Sequence, residues 1–332
     1  MPQVPKHPEG RMRRDEPLVS MLTTHSGTLD DIVRLARCNL PGSLRKAAQG
    51  RAGGVEGLRE DFRVLAEAKV YGKQRHLEEL LVSIGACAEE SSIPFWQEAL
   101  GPSKPRDGFA VRRRDCAVAA LALLANKGSA KGWEELRAAL RHPEPETRGS
   151  AVYSMAVAFR DEDGRVPEAI AAELRQAAND RASEVRFLAR AMLWNATTSE
   201  LPIDDPDGVF QLKVELGKAT RTIEQLGSRD LYGLASDILN AFGWDHDHMW
   251  EFRFSPTNDR LVVSDDDELQ PDLPLGLIGL RSKQRFAFHF DFGDDHWFGV
   301  TVSAVSQKKP RTRYPRVTEK KGKVAQYPND DW

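Results

Sequence analysis

The stretch "TTSELPIDDPDGVFQLKVEL", residues 197–216, separates two different hydrophobic patterns. Its first part is rich in turn-forming and acidic residues and has no apolar period, which is typical of a domain boundary. Its second part has the period of two that marks a half-buried β-strand. Apolar side chains stand there at Phe210, Leu212, Val214 and Leu216. We therefore predict a linker over 198–208, with a different fold class on each side.

Length and composition bound the class of protein. The chain has 332 residues, of which 40% are hydrophobic and 29% charged, as in two globular domains or one elongated array. A formal net charge of −3 argues against a globally basic nucleic-acid coat. The cysteines Cys38, Cys87 and Cys116 are far apart, so neither a disulfide framework nor a thiolate zinc site is indicated.

Localisation is predicted from the absence of apolar segments. The sequence contains no apolar stretch of 18 residues, and its start is polar and rich in proline. We therefore expect a cytoplasmic protein with no membrane partner, in which residues 1–27 form a disordered tail.

Upstream of the linker, residues 28–197 carry the pattern of short amphipathic helices broken by Gly, Pro, Asp and Asn. Three segments align: "VRRRDCAVAALALLA", "TRGSAVYSMAVAF" and "VRFLARAMLWNA". In each, an arginine stands three residues before an alanine. These arginines, Arg114, Arg148 and Arg186, are 34 and 38 residues apart, and each segment follows another amphipathic one. The pattern indicates a helix-turn-helix unit at the period of a helical repeat.

This unit resembles HEAT-type repeats. The resemblance implies an α-solenoid whose helical pairs stack and present an extended surface to another protein. The repeated arginines have two interpretations: a basic row for an acidic partner, or structural contacts that tie each loop to a neighbouring repeat. We favour the structural interpretation, because stacking needs the same contact at the same place in every repeat.

Downstream, residues 209–328 combine strand and helix patterns. Asp230 is placed to cap a helix that Gly243 ends. Apolar residues then alternate along "HMWEFRF", "RFAFHFDF" and "WFGVTVSAV", which we predict to be strands, with Gly293 permitting a tight turn between the last two. The predicted fold is therefore multidomain: a HEAT-like α-solenoid followed by an α+β domain.

The order strand, helix, "AFGWDHDHMWEF", variable loop, "FHFDFGDDHW", strand, "YPR" resembles the plasmid pRiA4b ORF-3-like family. The matching positions are Gly243, Trp244, Asp245, His248, Phe252, Asp291, Phe292, Gly293, Asp294, Asp295, Tyr314, Pro315 and Arg316. The resemblance implies an α+β fold, an activity that is not established, and a link to mobile elements through insertion-element passenger proteins. This chain departs from the family at His296, Trp297 and Phe298, where the family continues with Trp, a variable residue and His.

The "DHDH" and "GDDH" segments raise the question of a metal site. If the two segments meet, they can supply the N and O ligands that a divalent cation needs. The candidate ligands are Asp245, His248, Asp291, Asp294, Asp295 and His296. The alternative is that Asp245 and Asp247 are solvated turn residues and His248 is a hydrogen-bonded histidine at the core edge. We favour this alternative, so no cofactor is expected.

Charge divides the second part unevenly. Residues 204–305 contain 19 acidic and 9 basic residues, for a net charge of −10, whereas "KKPRTRYPRVTEKKGK" adds eight basic residues and one acid. This basic arm either follows the phosphates of a nucleic acid or lies on the acidic body, and we favour the second. The candidate nucleic-acid ligands are Lys308, Lys309, Arg311, Arg313, Lys320 and Lys321.

Three functions remain open. The preferred hypothesis is a non-catalytic interaction protein with a helical-repeat surface and an ORF-3-like recognition module. The first alternative is a metal-dependent hydrolase or nuclease that uses the Asp/His cluster. The second is nucleic-acid binding through the basic arm. No GxSxG elbow or P-loop is present, so nucleophilic catalysis and nucleotide hydrolysis have no support.

Overall fold

The computed structural model describes residues 54–67, 69, 73–102, 108–196, 208–255, 261–265 and 272–327. The predicted tail and the predicted linker, apart from Gly208, lie outside these ranges, so both stay predictions. The chain divides between Ala158 and Phe159 into two compact units, which are described separately.

The first unit is helical, as predicted. Its helices are α1 (Gly54–Glu67), α2 (Gln74–Cys87), α3 (Ile93–Leu100), α4 (Gly108–Asn126), α5 (Ala130–Ala139) and α6 (Pro145–Phe159), with a 3-10 turn at Glu90–Ser92. Helix α4 packs against α2, α3 and α5. At its contact with α5, a Cβ on Gly132 would stand 2.8 Å from Leu124 Cβ, so only glycine permits this close approach. Cys87 and Cys116 are buried.

The aligned arginines make a repeated contact. Arg148 Nη1 donates to the carbonyls of His142 and Pro143, at 2.9 and 3.0 Å, in the loop between α5 and α6. Both acceptors precede the arginine, by six and five residues. All three aligned arginines are buried, which removes them from any surface for an acidic partner.

Arg186 repeats this geometry in the second unit. Its Nη1 donates to the carbonyls of Asp180 and Arg181, at 2.8 and 3.0 Å, again six and five residues earlier. Arg148 and Arg186 therefore each hold the loop of their own helical pair. The stacking of the pairs into a HEAT-like array stays a prediction.

The second unit is an antiparallel sheet with helices. Its helices are α7 (Glu168–Ala177), α8 (Ser183–Ala196) and α9 (Leu231–Phe242). Its strands are β1 (Gly208–Leu216), β2 (Ala219–Leu226), β3 (Trp250–Arg253), β4 (Val262–Ser264), β5 (Arg285–Phe290), β6 (His296–Gln307) and β7 (Arg316–Lys321). The strand order is β4-β3-β5-β6-β1-β2-β7, and every pair is antiparallel. This confirms the predicted α+β domain.

Helix α9 begins and ends where the sequence predicts. The Asp230 side chain accepts a hydrogen bond from Gly233 N at 2.6 Å, and Gly243 adopts the left-handed conformation that ends the helix, with φ 76°. The helix packs against β2. Beneath it, the rings of Phe252, Phe288, Phe290 and Phe298 are fully buried and form the core.

Helix α8 packs directly on the sheet side of its unit. The ring of Phe187 stacks on Phe254, with centroids 4.6 Å apart, and Arg190 donates to the carbonyls of Leu277 and Ala178, both at 3.1 Å. The last helical pair and the sheet thus share contacts. Within the described residues, no helix is long and apolar enough to cross a membrane.

The arginine contacts give a stability prediction. Arg148→Met should lower the free energy of unfolding of the first unit by about 1–3 kcal/mol, because two loop carbonyls lose their buried donor. Thermal unfolding followed by far-UV circular dichroism measures the loss. Lys131→Met, at an exposed position on α5, is the control. Equal unfolding temperatures for the two variants would contradict a structural role for Arg148.

Asp237 on α9 gives a pH prediction. It is buried beside Gln225 and Arg229. Burial raises the pKa of its carboxyl, although Arg229 and Gln225 act in the opposite direction. Because the folded state then binds the proton more tightly, stability present at low pH is lost as the pH rises through the folded-state pKa.

Urea unfolding of the wild type and of Asp237→Asn at several pH values tests this. The unfolding free energy of the wild type relative to the variant should fall as the pH rises above about 4, the ordinary pKa of an aspartate. A difference that grows with pH would show that the pair with Arg229 outweighs the burial of the charge.

Candidate metal centre

The candidate centre lies at one end of the sheet. Trp250 at the start of β3 pairs with Phe290 at the end of β5, which pairs with His296 at the start of β6. Since neighbouring strands are antiparallel, the residue before β3 and the turn between β5 and β6 meet at this end. The structure thereby brings His248 together with the "DFGDDH" segment, as the metal hypothesis requires.

Asp291 organises the turn. Its backbone has φ 56°, a left-handed conformation that Asp tolerates better than most residues. Its Oδ1 accepts hydrogen bonds from Gly293 N at 2.9 Å and Asp294 N at 3.2 Å, and its carbonyl accepts from Asp295 N at 2.7 Å. Asp291 therefore uses Oδ1 to hold the turn, whereas its Oδ2 faces His248.

The Asp291 carboxyl titrates below its ordinary range. Burial alone would raise its pKa. The amide N–H groups of Asp294 and Gly293, together with His248 and His296, act in the opposite direction and lower it overall. The carboxylate is therefore ionised and available as a ligand at neutral pH.

Three side chains converge here, and a fourth lies beside one of them. Ligand atoms of Asp291, Asp294 and His296 all lie within 4.8 Å of one another. His248 Nε2 lies 3.4 Å from Asp291 Oδ2, which adds a second imidazole. Asp291 is buried, His296 half-buried, and Asp294 and His248 exposed, so the cluster opens to solvent on one side.

His296 has an unsatisfied ring nitrogen. Its Nε2 is buried and has no hydrogen-bond partner within the described part of the chain. The ring packs edge-on against Trp244, with centroids 4.7 Å apart. A buried nitrogen without a partner is costly unless a ligand or water binds it.

Two predicted ligands do not join the cluster. Asp245 is exposed, and its backbone N–H donates to Gln326 Oε1 at 2.7 Å. Asp295 turns to the other face of the sheet, where its Oδ1 lies 2.9 Å from His289 Nε2 and accepts from Trp297 Nε1 at 2.7 Å. The turn therefore sends neighbouring aspartates to opposite faces.

The opposite face holds a cluster of polar side chains that the sequence did not predict. His289 Nδ1 lies 3.2 Å from Glu251 Oε1, so the imidazole stands between two carboxylates. The His289 ring stacks on Trp297 at 3.8 Å and an interplanar angle of 9°. Side chains alternate along β5, so His289 lies on the other face of the sheet from Phe288 and Phe290. The polar cluster therefore contacts the turn from the side away from the candidate centre.

The C-terminal segment also reaches the centre. Tyr327 Oη donates to the Asp247 carboxylate at 3.2 Å, and its ring centroid lies 6.1 Å from that of His248. Burial and the Asp247 carboxylate raise the pKa of Tyr327. Gln326 Nε2 also donates to Asp247, at 3.2 Å. The "YPNDDW" end contains no pattern that predicts these contacts.

The basic arm is part of the sheet for some of its length. Arg316 begins β7, and its Nε lies 2.6 Å from Glu224 Oε2 on β2. Lys308, Lys309, Arg311, Arg313, Lys320 and Lys321 are exposed. Through this ion pair, Arg316 shows the predicted attachment of the arm to the acidic body.

The antiparallel sheet and the motifs at its end belong to the part of the chain that matches a family model. Residues 208–331 match the model of the plasmid pRiA4b ORF-3-like protein family. The match covers the C-terminal part of this chain and confirms the resemblance to this family found in the sequence.

Comparisons with other proteins add little. The crystal structure of a protein of unknown function from Methanosarcina mazei Go1 is similar over 34% of this chain and 68% of that chain, with 16% identity and a TM-score of 0.31. This likeness is too low to support an argument. No curated protein matches the chain.

Proposed function

We propose that the ORF-3-like domain binds a divalent transition-metal cation through His248, Asp291, Asp294 and His296. The observation that carries this proposal is the convergence of Asp291, Asp294 and His296 within 4.8 Å of one another, with His248 Nε2 3.4 Å from Asp291 Oδ2. Mixed imidazole and carboxylate ligands favour Zn²⁺, Mn²⁺ or Fe²⁺, whereas Ca²⁺ and Mg²⁺ prefer oxygen ligands alone. The proposal reverses the preference that the sequence alone gave.

Two further features support the proposal. Asp291 is ionised at neutral pH without a metal and is held by the turn, so its Oδ2 needs little reorganisation to act as a ligand. His296 Nε2 lacks a partner, and a cation would satisfy a buried nitrogen that is otherwise costly. Both features favour a bound cation: Asp291 is held in position as a ligand, and His296 Nε2 has no other partner within the described residues.

The exposed side of the cluster favours chemistry at the cation. Asp294 and His248 face solvent, which leaves room for water to complete the coordination. A catalytic metal site keeps such an open position, and a cation there lowers the pKa of bound water. Hydrolysis is therefore the reaction class that this arrangement would support.

Isothermal titration calorimetry of metal-depleted protein with Zn²⁺ and Mn²⁺ tests the proposal. One cation should bind per chain, and His248→Gln or His296→Gln should weaken the affinity by more than about 100-fold, since loss of a direct ligand exceeds the loss of an outer contact.

His246→Gln is the matched control, because His246 is exposed, lies two residues from His248 and is outside the cluster. Asp294→Asn and Asp295→Asn form a second pair, in which only Asp294 belongs to the cluster. If the wild type binds no cation, or if the control variants lose as much affinity as the ligand variants, the proposal is wrong.

A second function concerns the helices. The identical loop contacts of Arg148 and Arg186 support repeated helical pairs, and arrays of such pairs present extended binding surfaces. We propose that this part is HEAT-like and binds another protein, so that the chain combines an interaction surface with the ORF-3-like module. A link to mobile elements belongs to the same proposal.

Reciprocal affinity purification from the native host, with the full chain and then its partner tagged, tests this function. A stoichiometric partner should be recovered in both directions, and His248→Gln should leave it bound, because that residue lies outside the helices. Recovery of no reciprocal partner would contradict an interaction role.

A further inference from the structure

The basic arm, residues 308–323, presents its charge to solvent. Its single acid, Glu319, accepts a hydrogen bond from Thr222 Oγ1 at 3.3 Å, and Arg316 is paired with Glu224. Seven cations remain exposed: Lys308, Lys309, Arg311, Arg313, Lys320, Lys321 and Lys323. Lys320, Lys321 and Lys323 therefore present their charge to solvent near the end of the arm.

Strand β7 places part of this charge on an edge. It pairs only with β2 in the described sheet, so its other side has no strand partner there. Lys320 and Lys321 point to opposite faces because side chains alternate along a strand. The segment before β7 crosses from β6 past the ends of β1 and β2, a distance of about 14 Å. The exposed cations thus form a rim in two groups, one in the segment that crosses the end of the sheet before β7 and one at the end of β7 and just after it.

The segment after β7 leads from this rim to the candidate metal centre. Arg221 Nη1 donates to Lys321 O at 2.9 Å, and Trp244 Nε1 donates to Val324 O at 3.2 Å, so the segment is fixed along the end of α9. Tyr327 then contacts Asp247, next to His248. Tyr327 lies four positions after Lys323, which is at most about 14 Å of chain.

A long anion with evenly spaced charges fits this path. Lys320 and Lys321 lie on the edge strand and Lys323 follows it, whereas the rest of the domain is acidic and would repel an anion elsewhere. Tyr314 and Tyr327, both half-buried, stand near the two ends of the path and offer ring surface for stacking. An extended single strand can follow a narrow edge, and its phosphate oxygens are ligands that a divalent cation accepts.

We infer that the ligand of the metal centre is the phosphodiester backbone of single-stranded nucleic acid, guided to the centre by Lys320, Lys321 and Lys323. This inference rests on the proposed metal function. The contrasting explanation is that lysines on an edge strand only prevent edge-to-edge pairing between molecules. The two explanations differ in whether the charges act on a ligand.

Fluorescence anisotropy of a labelled single-stranded oligonucleotide with the full chain tests the inference at several salt concentrations. The triple variant Lys320→Gln, Lys321→Gln, Lys323→Gln should bind at least about tenfold more weakly, and its salt slope should fall by about 2, which is the loss of three phosphate contacts on a single strand. Added Mn²⁺ should tighten binding by the wild type but not by His248→Gln.

A triple variant with the same loss of charge is the control: Arg281→Gln, Lys283→Gln, Arg285→Gln. Arg285 lies on β5, four strands and about 19 Å from β7, and all three residues are exposed. This control should bind as the wild type does. Calorimetry with Mn²⁺ should give unchanged metal affinity for both triple variants, which shows that their domains are folded.

The outcomes separate the two proposals. Metal binding without salt-sensitive oligonucleotide binding would overturn this inference and leave the metal site intact. Equal weakening by both triple variants would show that binding depends on total charge and not on the edge lysines, which would also overturn the inference. Tighter binding of a duplex or of polyglutamate of equal charge would overturn the choice of ligand. Absence of metal binding in calorimetry would overturn the proposed function and this inference together.

Discussion

The pairing of β5 with β3 and β6 is the constraint on which the candidate centre depends. Its register is fixed by the core, because Phe252, Phe288 and Phe298 are opposite one another and fully buried. A slip by one residue would turn these rings to the exposed face and bring polar residues into the core. The same register places His248, Asp291 and His296 at one end, so core packing also determines the geometry of the centre.

The five-residue turn from Asp291 to Asp295 serves two faces of the sheet. Left-handed backbone at both of its end residues, with φ 56° and 57°, reverses the chain within a short distance. Asp291 and Asp294 consequently lie beside His296 at the end of the sheet. Asp295 instead contacts His289 and Trp297 on the opposite face. The third carboxylate, that of Asp295, is thus kept away from the two carboxylates of the cluster, which it would repel.

The sequence predicted those features that depend on local chemistry. Caps at Asp230 and Gly243, the alternation of Trp250 and Phe252, and the family motifs all follow from neighbours in the chain. The selection of Asp294 over Asp295 could not be predicted, because it depends on the backbone conformation of the turn. Tyr327 was missed for another reason: it meets Asp247 across 80 residues, and only tertiary structure sets that distance.

Charge segregation connects the centre with the edge strand. A cluster of two carboxylates on an acidic body would repel any phosphate, so the centre can accept one only after a cation has reversed the local charge. Lys320, Lys321 and Lys323 are exposed and lie outside the cluster, which means that long-range attraction and local coordination are supplied by different residues. Such a division lets the edge strand attract an anion before the metal centre binds it, since attraction by exposed charges extends over about one Debye length.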